Sequence, residues 1–147
     1  MNDESSLATP YERIGGEEKL RELVDRFYDY MDQLEESRDI RALHARELKA
    51  SRRKLFMFLS GWLGGPDLYV RQYGHPRLRA RHLPFSIGMK ERDQWMYCMK
   101  KALHDIVNDE KLKNELESAL WRTADHMRNR AEHDADEKLR IFPGTFS

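Results

Sequence analysis

The segment Gly74-His75-Pro76-Arg77-Leu78-Arg79-Ala80-Arg81-His82-Leu83-Pro84-Phe85 holds the residues of this chain best suited to chemistry. It sets one imidazole, His82, between a run of guanidiniums and the apolar residues Leu83 and Phe85. Pro84, two positions on, cannot continue a helix, because its ring fixes φ and it has no amide donor. The spacing therefore predicts a histidine at the end of a short helical turn, facing apolar side chains. Two chemistries suit such a group. It could be a core histidine satisfied by a backbone carbonyl. It could also be the single axial ligand of a haem iron, with the nearby guanidiniums meeting the propionates.

The remaining reactive residues narrow the choice without closing it. The six histidines, His44, His75, His82, His104, His126 and His133, are never three or four apart. A metal site built from protein ligands alone is thus not encoded, whereas a cofactor needing one protein ligand is compatible. Cys98, between Tyr97 and Met99, reads as a buried inert thiol. Gly64-Gly65 lacks the lysine and the preceding strand of a phosphate loop, and no paired carboxylates or nucleophile elbow are visible. Arg77 and Arg81 share a helical face that Arg53, Lys54 and Arg71 could approach. Such a group can be a solvated face, a phosphate patch or a clamp for carboxylates. Phe27, Tyr28, Phe58, Trp62, Phe85, Trp95 and Trp121 fall on apolar stripes, which reads first as core. Tyr28 and Trp95, however, carry a polar atom inward that needs a partner, and a diatomic ligand on iron would be one.

The elements that must position these groups are helices. From Glu17 to Glu36 apolar residues recur at Leu20, Leu23, Val24, Phe27, Tyr28, Met31 and Leu34, steps of three and four with charges opposite. Gly15-Gly16 permits a sharp turn from a short helix around Tyr11. A second helix is predicted from about Glu47 to Leu63, with Leu48, Leu55, Phe58, Leu59 and Trp62 inward, stopped by Gly64-Gly65-Pro66. Residues 66–88 read as irregular, with Pro66, Gly74, Pro76, Pro84 and Gly88. A third helix fits about Lys90–Asn108, carrying Trp95, Met99, Ala102, Leu103 and Ile106. A fourth fits about Glu110–Arg130, with Leu112, Leu116, Ala119, Leu120, Thr123 and Met127 inward. From Ala131 the chain is polar, although Leu139, Ile141, Phe142 and Phe146 could dock. The expected fold is all-α, one domain over residues 1–147.

Composition sets the partners aside. The 147 residues hold 26 Lys+Arg against 26 Asp+Glu, a net charge of zero, which argues against a nucleic-acid or membrane-surface binder. A single cysteine forbids an intramolecular disulfide and fits a reducing compartment. No apolar run approaches the ~20 residues that span a bilayer. Met1-Asn2-Asp3-Glu4-Ser5-Ser6 lacks the order of a signal peptide, so a cytoplasmic protein is expected.

Several pieces together resemble a known family. They are Gly15-Gly16, Phe27-Tyr28, Leu55-Phe56-Met57-Phe58-Leu59, Trp62-Leu63-Gly64-Gly65-Pro66, Tyr69, the Gly74–His82 segment and Glu91-Arg92-Asp93-Gln94-Trp95. In order and spacing they are similar to the group II (O-type) truncated haemoglobins, over about Tyr11 to Leu120. The resemblance implies a globin-like two-over-two helical sandwich around haem b, with a core of about residues 11–130. It implies His82 as the proximal iron ligand and Tyr28, Trp95 and His44 on the distal side. Ala45 follows His44 where the family often has proline, and the segment from Tyr28 to His44 is longer than in some members. Ser51 matches a small distal-helix position. Lys54 and Arg81 would reach the propionates, and Leu55, Phe58, Phe85, Trp95 and Met99 would contact the haem.

The function so implied is binding of O2, CO and NO at a five-coordinate iron, with up to three distal donors and slow release. That suits redox chemistry, detoxification or sensing better than bulk transport. Peroxidase-like turnover would rest on His44 as the acid–base group. NO detoxification would need a separate reductase, because no flavin or nicotinamide motif is present. A monomer or homodimer is expected, with no nucleic-acid or membrane partner. The competing reading is a haem-free all-helical interaction or sensory module whose aromatics are only core.

Overall fold

Thr9 begins the ordered helices by a reciprocal cap. Its hydroxyl accepts from the Glu12 amide at 3.1 Å, and the Glu12 carboxylate accepts from the Thr9 amide at 3.1 Å. Pro10 occupies the first helical position, where no amide is needed. The structure, a computed structural model, describes residues 8–129. Helix α1 spans Pro10–Ile14 and ends at Gly15, whose φ of 118° lets α2, Gly16–Gln33, start at once. A 3-10 turn at Glu35–Ser37 leads into α3, Arg38–Ala42. Then come α4 (Lys49–Trp62), α5 (Leu68–Tyr73), α6 (Leu78–His82), α7 (Met89–Ile106) and α8 (Glu110–His126). The described residues contain no strand.

The long helices form two layers. Helices α2 and α4 pack together, α7 packs on α8, and α2 crosses α7 to join the pairs. Six of the seven residues of the predicted α2 stripe, Leu20, Leu23, Val24, Phe27, Tyr28 and Met31, lie inside, while Leu34 falls just past the helix and is half-buried. They meet Leu59 of α4, Met99 and Leu103 of α7 and Leu112 of α8 in one continuous core. The Gly64-Gly65 pair tightens the entry. A Cβ on Gly65 would stand 2.5 Å from the Tyr11 ring, and the Tyr11 amide donates to the Leu63 carbonyl at 2.9 Å. This seats α1 on the end of α4.

Three features depart from the sequence reading. The stretch expected to be irregular, 66–88, contains two short helices, α5 and α6. Helix α4 buries Phe56 with Leu59 and Ser60, and leaves Leu55, Phe58 and Trp62 half-buried. The reason is that α4 has neighbours on two sides, α2 and α5, while the Arg21 guanidinium covers the Phe56 ring at 4.1 Å. Trp121 is 41% exposed rather than inward, lying beneath the Arg92 guanidinium at 5.0 Å, and Phe85 is equally exposed. Among the described residues, helix α8 packs closely on α7 and α1 alone, at the edge of its layer, which leaves Trp121 on its outer face. The acidic start of the chain, Arg130, the polar tail and Leu139, Ile141, Phe142 and Phe146 lie outside the described residues. No helix among the described residues is long and apolar enough to cross a membrane.

Candidate functional site

His82 is the last residue of α6 and is half-buried. Its Nδ1 lies 2.6 Å from the carbonyl of Leu78, one turn back. A carbonyl can only accept, so in the neutral ring Nδ1 holds the proton and Nε2 carries a free lone pair. The two chemistries open at the sequence level thus meet in one geometry. Satisfying one ring nitrogen with a backbone carbonyl is what orients the other as a metal ligand and raises its basicity. The turn beyond is closed by the Phe85 amide donating to the His82 carbonyl at 3.0 Å.

Tyr28, His44 and Trp95 come together from three different elements. The Phe27 ring lies 4.8 Å from Tyr28 and 4.9 Å from Trp95, and the Tyr28 ring meets His44 edge-on at 5.7 Å. Tyr28 is 5% exposed, yet its hydroxyl has no hydrogen-bond partner among the described residues. Burial pushes its pKa well up, against a smaller downward pull from the Arg52 guanidinium, so the hydroxyl stays protonated. The Trp95 indole N–H has no partner among the described residues either. Trp95 is half-buried; the enclosed Tyr28 donor without an acceptor is costly, and a site that keeps it is arranged for something to accept from it.

His44 differs from the expected third donor. Its Nδ1 lies 2.9 Å from the Ile40 carbonyl, the same one-turn arrangement as at His82. The neutral ring therefore spends its only N–H on the backbone and presents a lone pair at Nε2. Burial holds its pKa below the ordinary 6.5, and the charges of Arg41 and His82 push the same way, against the Ile40 bond. The His82 charge acting on His44 sets the two imidazoles near one region.

The cations gather at a rim. Tyr69 and Tyr73 of α5 form a ring pair at 4.8 Å. The Lys54 ammonium stands 5.6 Å from the Tyr73 ring and the Arg81 guanidinium 5.7 Å from Tyr69. Arg81 also donates to the Pro76 carbonyl at 2.6 Å, which fixes its stem. Among the apolar candidates, Leu55 and Phe58 are half-buried on α4, with Phe58 edge-on to Tyr69 at 6.3 Å. Met99 is fully enclosed in the core, one turn beyond Trp95, and Phe85 is exposed. Ser51 is half-buried. Cys98 is fully buried, and burial raises its thiol pKa, as suits an inert group.

Sequence reasoning missed Arg52, Arg79 and Asn129. Arg52 ties α4 to α2 through Asp29 at 2.9 Å and Asp25 at 3.2 Å, beneath the Tyr28 ring. No motif announces such residues, because their partners are distant in sequence. Among the described residues no cluster of three His, Cys, Asp or Glu could hold a metal ion. The donor set instead fits a haem: an imidazole lone pair at the end of α6, unpartnered hydroxyl and indole donors on α2 and α7, a half-buried apolar face on α4, and cations beside Tyr69 and Tyr73 for carboxylates.

Comparison with known proteins agrees. Residues 9–129 match the family described as bacterial-like globin. A group 2 truncated haemoglobin of Bacillus subtilis is 40% identical over 127 residues, covering 86% of this chain and 93% of the relative. A cold-adapted truncated haemoglobin from the Antarctic marine bacterium Pseudoalteromonas haloplanktis superposes with a TM-score of 0.83 at 45% identity, covering 84% of this chain and 100% of that one. A truncated oxygen-avid haemoglobin from Bacillus subtilis gives a TM-score of 0.76 at 40% identity, covering 83% and 100% of the two chains.

Proposed function

The chain belongs to the bacterial-like globin family and is a group II truncated haemoglobin with a haem cofactor, and from that premise we propose that His82 is its axial ligand and Tyr28 and Trp95 its ligand-binding donors. When bound, haem b supplies the ferrous iron at which O2, CO or NO attaches. His82 offers the Nε2 lone pair and keeps Nδ1–H on Leu78, so the imidazole cannot rotate away without breaking that bond. Lys54 and Arg81 neutralise the propionates from the α5 rim. Leu55 and Phe58 exclude water, which strengthens every polar contact inside.

The single observation that carries this reading is the Tyr28 hydroxyl, buried, protonated and unpartnered. It and the Trp95 N–H donate to the ligand, each contributing ~1–3 kcal/mol in an enclosed site. His44, with its N–H on Ile40, accepts instead, so two donors act at neutral pH. A buried Tyr28 donor beside the half-buried Trp95 N–H favours slow release and hence high affinity, and a relative of 40% identity is described as oxygen-avid. We place the protein in the cytoplasm, in redox chemistry, detoxification or sensing rather than bulk transport. Turnover of NO would draw electrons from a separate reductase. A peroxidase-like reaction would use His44 Nε2 as the proton acceptor.

The test is the visible spectrum of haem-supplied protein in ferric, dithionite-reduced and CO-bound forms, beside His82→Ala. A stoichiometric Soret band and a histidine-ligated CO complex are expected, both lost or displaced in the variant. Helical protein that takes up no haem would overturn the proposal in favour of a haem-free interaction module.

A further inference from the structure

The end of α8 is joined to the His82 segment by hydrogen bonds that close packing of helices does not account for. Asn129, three residues past α8, donates from Nδ2 to the His82 carbonyl at 3.1 Å. Its Oδ1 accepts from the Ile87 amide at 2.9 Å, and its own amide donates to the Ile87 carbonyl at 2.8 Å. One side chain thus bridges residues 82 and 87, the two ends of the loop around Pro84. In the opposite direction Arg79 of α6 donates from Nη1 to the carbonyls of His126 at 2.7 Å and Arg128 at 3.0 Å. Those carbonyls close a helix C-terminus, where partial negative charge collects and a guanidinium is well matched.

The arrangement is the more telling because α6 is in none of the closely packed helix pairs. Among the described residues, its hydrogen bonds to the two helical layers are those to residues 126–129. The His82 carbonyl has both lone pairs engaged, one by the Phe85 amide and one by Asn129. Any tilt of the peptide that carries the imidazole must therefore break a bond to Asn129.

We infer that Asn129 is a positioning residue for the axial histidine: through the His82 carbonyl, and with Arg79 holding its segment in place, it sets the orientation of the His82 imidazole toward iron. This rests on the proposed role of His82. It makes the segment just past α8 part of the proximal site.

Asn129→Asp separates the two halves of the bridge, since it keeps an acceptor for Ile87 and removes the donor to His82. Asn129→Ala removes both, and Arg79→Gln loosens the opposite arm. On full-length holoprotein the readouts are the iron–histidine stretching band of the deoxy ferrous form and the rate of haem transfer to an apomyoglobin acceptor. Amide exchange at Ile87 reports whether the loop itself has opened. With Asn129→Asp the band shifts or broadens and haem loss quickens about fivefold, the scale of one half-buried hydrogen bond, while Ile87 stays protected. Asn129→Ala gives the same shift with Ile87 deprotected, and Arg79→Gln a smaller one. If Asn129→Ala fails to fold, the other two variants carry the test. A haem-loaded wild type with bands and transfer rates unmoved in the variants would overturn this role alone. A wild type that takes up no haem would overturn the proposed function and this role with it.

Discussion

Tyr28 and Trp95 stand on helices of 18 residues each, whereas His82 ends a helix of five. The proposed distal side is therefore built by packing. Phe27 between the two donors is fully buried, and the stripes of α2 and α7 press together along their length. The proposed proximal side is built by discrete hydrogen bonds: Leu78 to the ring of His82, Asn129 to its carbonyl, Arg79 to the end of α8. The difference follows from the tasks. Donors that stabilise charge on a small ligand must already be fixed in a low-dielectric interior, because nothing else holds them. An axial ligand also gains position from the group it binds, so fewer protein constraints suffice.

The largest effect that would break this comparison is on stability. Leu103→Ala, at a fully buried position of α7, should cost about 2–5 kcal/mol in denaturant unfolding of the apoprotein. Leu83→Ala, half-buried in the proximal loop, should cost less than about 1 kcal/mol there and show its effect in haem retention. Equal costs would mean that the proximal loop belongs to the same cooperative core.

The next effect sharpens the distal half. Trp95→Phe and Tyr28→Phe should each raise the O2 dissociation rate about tenfold, the kinetic equivalent of ~1.4 kcal/mol, in stopped-flow exchange against CO. His44→Phe should change that rate by less than about twofold near neutral pH, since the neutral ring has no N–H to give. A tenfold rise in the His44 variant would restore it as a donor.

The smallest effect is a pH slope. The folded state holds His44 with its pKa depressed below 6.5, so as pH falls through that value the unfolded chain takes up the proton first. Unfolded protein then binds more protons than native, and stability falls with decreasing pH until the folded-state pKa is passed. Urea unfolding of the apoprotein from pH 7 down to pH 5 should show a steeper decline in wild type than in His44→Phe. Parallel curves would mean that His44 is not held neutral by burial.

Much of the scaffold was legible in the sequence, for a local reason. The α2 stripe came out as read, because a 3.6-residue period pressed against one neighbouring layer leaves a single buried face. In α4 the same reasoning chose Leu55, Phe58 and Trp62 and passed over Phe56, because periodicity does not say that a helix has neighbours on two sides. The short helices α5 and α6 hid among prolines and glycines, since each is barely longer than one turn. At the site, the unusual residue types were visible from the start: a histidine before a proline, a tyrosine and a tryptophan on apolar stripes. Asn129 and Arg79 were not, and could not be, because asparagine and arginine are ordinary at a helix end.

The sequence by itself determined the all-α class, the inward face of α2, the stop after His82 and even the ring orientations of His44 and His82. Each of those Nδ1 atoms bonds a carbonyl four residues back, so the geometry follows once a helical turn forms there. Only the tertiary structure decided that α4 would bury Phe56, that Trp121 would face outward, and that residue 129 would close on residue 82, 47 positions away. The physical reason is range. Side-chain periodicity and one-turn hydrogen bonds are settled by neighbours in the chain. A backbone carbonyl, by contrast, is the same acceptor at every residue, so which donor reaches it depends on where each helix ends in space.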